Sequence, residues 1–147
     1  MRKFSLVVLF ALPLFLFGCG GGGSESGGGT ILNLTGTWKI RPVPNEPSFI
    51  GDSSSSGTIK FTQTNGTVTG TFVSDPPAPG TIDCIPNGTI TGSVSGDTLV
   101  FKFSGLGGTA SGTFRGTSNS LKGTGTTVFD GTICSGSITG TAMMTRI

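Results

Sequence analysis

The sequence has no histidine, no tyrosine and a single tryptophan, and only 11% of its 147 residues are charged. Without histidine no side chain titrates near neutrality unaided, so general base catalysis would fall to a carboxylate or lysine with a displaced pKa. Asp52, Asp75, Asp83, Asp97 and Asp130 are scattered through stretches that read as loops and turns, where solvated carboxylates are ordinary. No catalytic residue is assigned, and enzyme activity is not expected. His-Glu-x-x-His, paired Cys-x-x-Cys and calcium-loop spacings are also missing, which leaves metal binding without support and no cofactor to expect. No cluster of Lys or Arg is present to release counterions from a phosphate backbone, so nucleic acid is not an expected partner.

What is present starts with Arg2 and Lys3 ahead of an apolar run from Phe4 to Phe17, interrupted only by Ser5 and Pro13. The run is shorter than the roughly 20 residues a helix needs to cross about 30 Å of hydrocarbon, and it reads as a cleaved secretory signal. It closes on Leu16-Phe17-Gly18-Cys19, which resembles the lipobox of bacterial lipoproteins. That resemblance implies a diacylglyceryl group on the Cys19 thiol and an acylated new amino terminus. The expected partner is then a membrane, reached through lipid, and the expected location is the bacterial cell envelope at the outer membrane. Two or more acyl chains, at about 0.8 kcal/mol per buried methylene, give stable attachment where one is marginal. Removing residues 1–18 takes Arg2 and Lys3 from nine basic side chains, leaving seven against seven acidic ones, so the net +2 falls to zero. Residues 19–30 are Gly, Ser and Glu25 between Cys19 and Thr30, a flexible tether with a root-mean-square span of about 18 Å. The folding unit is residues 31–147.

From Leu34 onward the chain alternates with period two, hydroxyl side chains on one phase and apolar residues or glycine on the other. Strands carry such a pattern, one face dry and one wet. A short unit recurs in Val68-Thr-Gly-Thr-Phe72, Ile90-Thr-Gly-Ser-Val94, Ala110-Ser-Gly-Thr-Phe114 and Ile138-Thr-Gly-Thr-Ala142, with Leu121-Lys-Gly-Thr-Gly125 as a looser copy. Each copy puts glycine on the apolar phase, where a strongly coiled sheet needs room for a large side chain opposite. The alternation predicts strands at 35–41, 57–63, 66–73, 88–94, 97–104, 108–115, 119–129 and 135–146. Asn65-Gly66 and Gly96-Asp97 read as tight hairpin turns, which makes sequential neighbours antiparallel. Prolines crowd the connections after the first and third strands, where they exclude ladder hydrogen bonds. The fold expected is all-β: an eight-stranded antiparallel up-and-down barrel, with the long loops at one end and the tight turns and both termini at the other. The Asn-x-Thr triplets at Asn33, Asn65 and Asn87 read as turn and strand-entry residues. A transmembrane barrel would need an apolar outer phase with aromatic girdles, and here that phase is hydroxylic.

Leu34-Thr-Gly-Thr-Trp38 resembles the first-strand Gly-x-Trp signature of the lipocalin and avidin group of calycin barrels. Thr67-Val-Thr-Gly-Thr-Phe72, following Asn-Gly, resembles the second avidin hairpin, and Arg146 stands where lipocalins carry a late arginine over that tryptophan. The resemblance implies a small-ligand barrel and a contact between Trp38 and Arg146. Biotin binding does not follow, because Trp38 stands alone and tyrosine is missing.

Two readings stay open. In one, a monomeric barrel holds a small apolar ligand among Trp38, Phe61, Phe72, Phe101, Phe103, Phe114 and Phe129; in the other those aromatics fill the interior, and the barrel serves as an envelope structural or protein-interaction module. Barrels of eight strands have room for either. Cys84 and Cys134 sit in similar contexts, Gly80-Thr-Ile-Asp-Cys84 and Gly131-Thr-Ile-Cys134, and a disulfide between them is expected in an exported chain. Strand parity places the tether at the tight-turn end, so the loops 42–56 and 74–87 face away from the membrane. Phe49, Ile50, Asp52, Asp75 and Asp83 in these loops are expected to rim a pocket or dock a partner.

Overall fold

Period-two patterning fixes which face of each strand is dry, and closing the sheet on itself is the way for eight such strands to bury one face without exposed edges. The computed structural model describes residues 31–51, 55–131 and 134–147. The signal segment, Cys19, the tether and Asp52 lie outside the described residues. Eight strands follow in chain order: β1 Gly36–Pro42, β2 Gly57–Thr64, β3 Thr67–Ser74, β4 Asn87–Ser95, β5 Thr98–Gly105, β6 Gly108–Gly116, β7 Ser120–Asp130 and β8 Ser135–Arg146. Each pairs antiparallel with the next, and β1 pairs with β8 to close the barrel.

The register explains the recurring glycines. Phe61 lies opposite Gly70, Phe72 opposite Gly88, Phe101 opposite Gly92 and Gly112, and Phe114 opposite Gly123. Each ring lies across a neighbouring strand at a point where that strand has no side chain. A Cβ added at Gly57 would come within 2.2 Å of the Phe72 ring, at Gly88 within 2.4 Å of Phe103, and at Gly123 within 2.6 Å of Phe114. In the recurring units centred on Gly70, Gly112 and Gly123 the glycine therefore makes a saddle for Phe61, Phe101 and Phe114. At the β2–β3 hairpin, Asn65 and Gly66 both take positive φ, 48° and 81°, as a type I′ turn requires.

The barrel has two unlike ends. The turns at 65–66, 96–97 and 117–119 gather at one end with residues 31–35 and Ile147; the described residues of the other connections, 43–51 with 55–56, 75–86, 106–107, and 131 with 134, gather at the other. The turn end is sealed. Leu32 and Leu34, 3% and 0% exposed, pack there with Trp38, Val68, Leu99 and Leu121. Gln63 locks this amino-terminal plug: its Oε1 accepts from Leu34 N at 2.8 Å and its Nε2 donates to Leu32 O at 2.8 Å. Arg146 spans the same seal, with its guanidinium carbon 4.8 Å from the centre of the Trp38 ring. It also donates to Thr35 O at 2.6 Å, to Ser118 O at 2.7 Å and to Asn33 O.

Candidate functional site: a half-filled barrel

Above the sealed floor the interior opens into a cavity of about 270 Å³, just under the usual small-molecule range of roughly 300–1,000 Å³. Phe61, Phe72, Phe101, Phe103, Phe114 and Phe129 all line it, with Ile40, Ile59, Ile90 and Met144 between them. Trp38, the remaining candidate from the sequence, does not line it. Its ring is fully buried in the floor under Arg146, with its indole N–H donated to Leu34 O at 2.8 Å. The amino-terminal plug accounts for this: residues 31–35 fill the space Trp38 would otherwise face. The interior is thus packed in its lower half and hollow in its upper half.

Phe49 is the second departure from the sequence reading, which put it at a rim. It is 1% exposed and forms the base of the cavity, its ring 5.9 Å from Phe101 and 6.0 Å from Phe114, centre to centre. The first long loop dips into the barrel to place it there. Pro42 ends β1 early, leaving the upper half of β8 without a backbone partner on that side. The loop takes over, with Thr141 N donating to Pro47 O at 2.7 Å, and the buried Thr127 hydroxyl donating to Phe49 O at 2.5 Å. Gly125 and Gly140 leave the room. A Cβ at Gly140 would sit 2.2 Å from Pro47 O, and one at Gly125 3.2 Å from the Phe49 ring. Outside, Glu46 binds Lys122 Nζ at 2.6 Å and the Thr141 hydroxyl at 2.7 Å. These two hydrogen bonds, with the lysine's charge, hold the Glu46 carboxyl below its ordinary pKa.

The mouth is polar. Asp75 and Asp83 line it with Ser55, Ser56, Ser74 and Thr81. Lys39 Nζ reaches both carboxylate oxygens of Asp75, 2.5 Å from Oδ1, and the Ser56 hydroxyl donates to Oδ2. Hydrogen bonds from Lys39 and then Ser56, with the charges of Lys39 and Arg41, hold the Asp75 carboxyl below its ordinary pKa against a smaller desolvation. Asp83 accepts from the Ser74 hydroxyl and, at 3.1 Å, from Ile85 N. Cys84 is joined to Cys134 in a disulfide, Cα atoms 5.8 Å apart, which ties the 75–86 loop across the mouth to the β7–β8 connection. A Cβ at Gly107 would meet Cys84 O at 2.1 Å, so the short β5–β6 turn passes directly under this link.

No protein-family model and no curated protein matches this chain. Among solved structures the chain is similar to rhizavidin at 16% identity and a TM-score of 0.48, with 76% of this chain and 81% of that chain covered. It is also similar to a variant of the fluorescent protein UnaG at 14% identity and a TM-score of 0.44, covering 77% and 95% of the two chains. Both likenesses are of fold.

Among the described residues no three His, Cys, Asp or Glu side chains stand together as metal ligands. A deep apolar chamber under a ring of hydroxyls and carboxylates is suited to hold a molecule by its apolar body and orient it by a polar end.

Proposed function

We propose that the protein is a lipid-anchored binding module that holds a small, largely apolar molecule in the upper half of its barrel. The observation that carries this reading is the cavity of about 270 Å³, walled by six phenylalanines and floored by Phe49. It favours a ligand-holding barrel over a filled one, because the six rings, although several pack on one another, still leave this open space between them. Anchoring rests on Arg2, Lys3, the apolar run and Leu16-Phe17-Gly18-Cys19. Residue 31 begins at the sealed end, so a tether to Cys19 presents the cavity mouth away from the membrane surface. Catalysis forms no part of the proposal.

Extraction of the purified mature protein followed by mass spectrometry tests the binding half. A co-purifying small molecule, released on denaturation and absent from a variant with Ala110→Phe in the cavity wall, is the expected result. Labelling with radioactive palmitate tests the anchor: the label is expected in the wild-type chain and lost in Cys19→Ala.

A further inference from the structure

Resting on that ligand-binding reading, we infer that the molecule held in the cavity carries a single positive charge, as a small primary amine with an apolar body. The inference comes from the imbalance of charge at the mouth. Among the described residues lining the cavity, the ionisable side chains are Asp75 and Asp83; no Lys or Arg lines it. Asp75 is already matched, because Lys39 closes on both of its oxygens from the outer face of β1 and Ser56 donates to it as well. Among the described residues Asp83 has no such cation. Its partners among the described residues are neutral donors, the Ser74 hydroxyl on Oδ2 and the Ile85 amide on Oδ1. A carboxylate oxygen accepts more than one hydrogen bond, so both oxygens retain lone pairs for a further donor.

The geometry gives an ammonium group two favourable surroundings at once. Asp83 supplies a carboxylate at the rim, in a loop that the neighbouring Cys84–Cys134 disulfide ties to the β7–β8 connection. In the same lining Phe72, two residues before the Ser74 that bonds Asp83, stands edge to face with Phe103 with centres 5.7 Å apart, offering ring surface to a cation. A carboxylate ligand would meet Asp83 with like charge and find no cation in the lining. An alcohol would donate one hydrogen bond to the carboxylate, charged on the acceptor side alone. An ammonium makes the same bond and adds the attraction of an ion pair.

Calorimetric titration of the mature barrel with hexylamine, hexanol and hexanoate decides the matter. Hexylamine is expected to bind about fivefold more tightly than hexanol, the upper scale of one ion pair at a partly exposed site. Hexanoate is expected to bind more weakly than either. Asp83→Asn keeps an oxygen for Ile85 N and is expected to bring hexylamine down to the hexanol affinity while hexanol binding falls by no more than about twofold, which also shows that the variant is folded. Equal affinities for amine and alcohol in the wild-type protein would overturn the charge assignment and leave the apolar-ligand reading standing. An amine preference that survives in Asp83→Asn would overturn the role of Asp83. Failure of all three compounds to bind would overturn the ligand-binding reading itself.

Discussion

Removing the ring of Phe49 tests the claim that a loop residue is part of the core. In Phe49→Ala the backbone of residues 46–49 remains held by Thr141 N on Pro47 O and by the Thr127 hydroxyl on Phe49 O, so the loop has little freedom to collapse into the space. The vacated volume merges with the existing cavity, and the contacts of the lost ring with Phe101 and Phe114 go with it. Buried Phe→Ala changes cost about 3–5 kcal/mol. The lower figure is apt here, because the ring already borders a hollow on one side and has fewer packed neighbours to lose. For a domain of residues 31–147, unfolding entropy of about 2.1 cal/mol/K per residue turns 3 kcal/mol into a fall in Tm of roughly 12 °C. Trp38 is fully buried in the floor and does not line the cavity, so its emission reports global unfolding of wild type and variant alike. The enlarged chamber is also expected to admit octanol more readily than the wild-type cavity does. A Tm within 2 °C of wild type would refute the assignment of Phe49 to the core and return it to the rim.

Three further outcomes follow from the same geometry. Reducing the Cys84–Cys134 link, or replacing both cysteines by serine, releases a loop of 50 residues, and the chain-entropy model puts the loss near 4 kcal/mol; an unchanged urea midpoint would contradict it. Arg146→Ala removes a cation over indole worth about 0.5–2 kcal/mol together with three carbonyl contacts, and is expected to lower stability and shift the Trp38 emission; neither changing would count against the seal. Because the Asp75 pKa is lowered on folding, its pair with Lys39 stabilises the protein at pH values above the unfolded carboxylate pKa and loses that contribution as pH falls through the folded value. Asp75 is a third exposed, so the effect is at most about 1 kcal/mol, and an acid-side stability curve that is the same in Asp75→Asn would show the pair to be inert.

The barrel was legible because each strand repeats the same rule. Alternation located β2 at 57–63 against Gly57–Thr64 and β8 at 135–146 against Ser135–Arg146, and the Asn-Gly and Gly-Asp pairs marked their turns. Inward glycines signalled space for rings, and the register supplies the rings. Phe49 was not legible as a core residue, since it follows three prolines in a stretch without periodicity, and only the shortness of β1 beside a long β8 draws the loop inward. Trp38 illustrates the reverse. Its place in β1 was clear, yet whether it faced a ligand depended on where residues 31–35 go, and nothing in Ile31-Leu32-Asn33-Leu34 says that they turn under the barrel. The charge imbalance at the mouth likewise depends on Lys39 reaching Asp75, two residues 36 positions apart.

The upper half of the barrel is an accessible chamber and the lower half is solid, a division that methyl-resolved NMR during titration with hexanol reads out. Saturable shifts are expected at the methyl groups of Ile59, Ile90 and Met144, which line the chamber, with Val68, Leu99 and Leu121 in the floor unmoved. Shifts confined to the exposed Val100 and Val128 on the outer face, or no saturable shift at any of the three chamber residues, would contradict it.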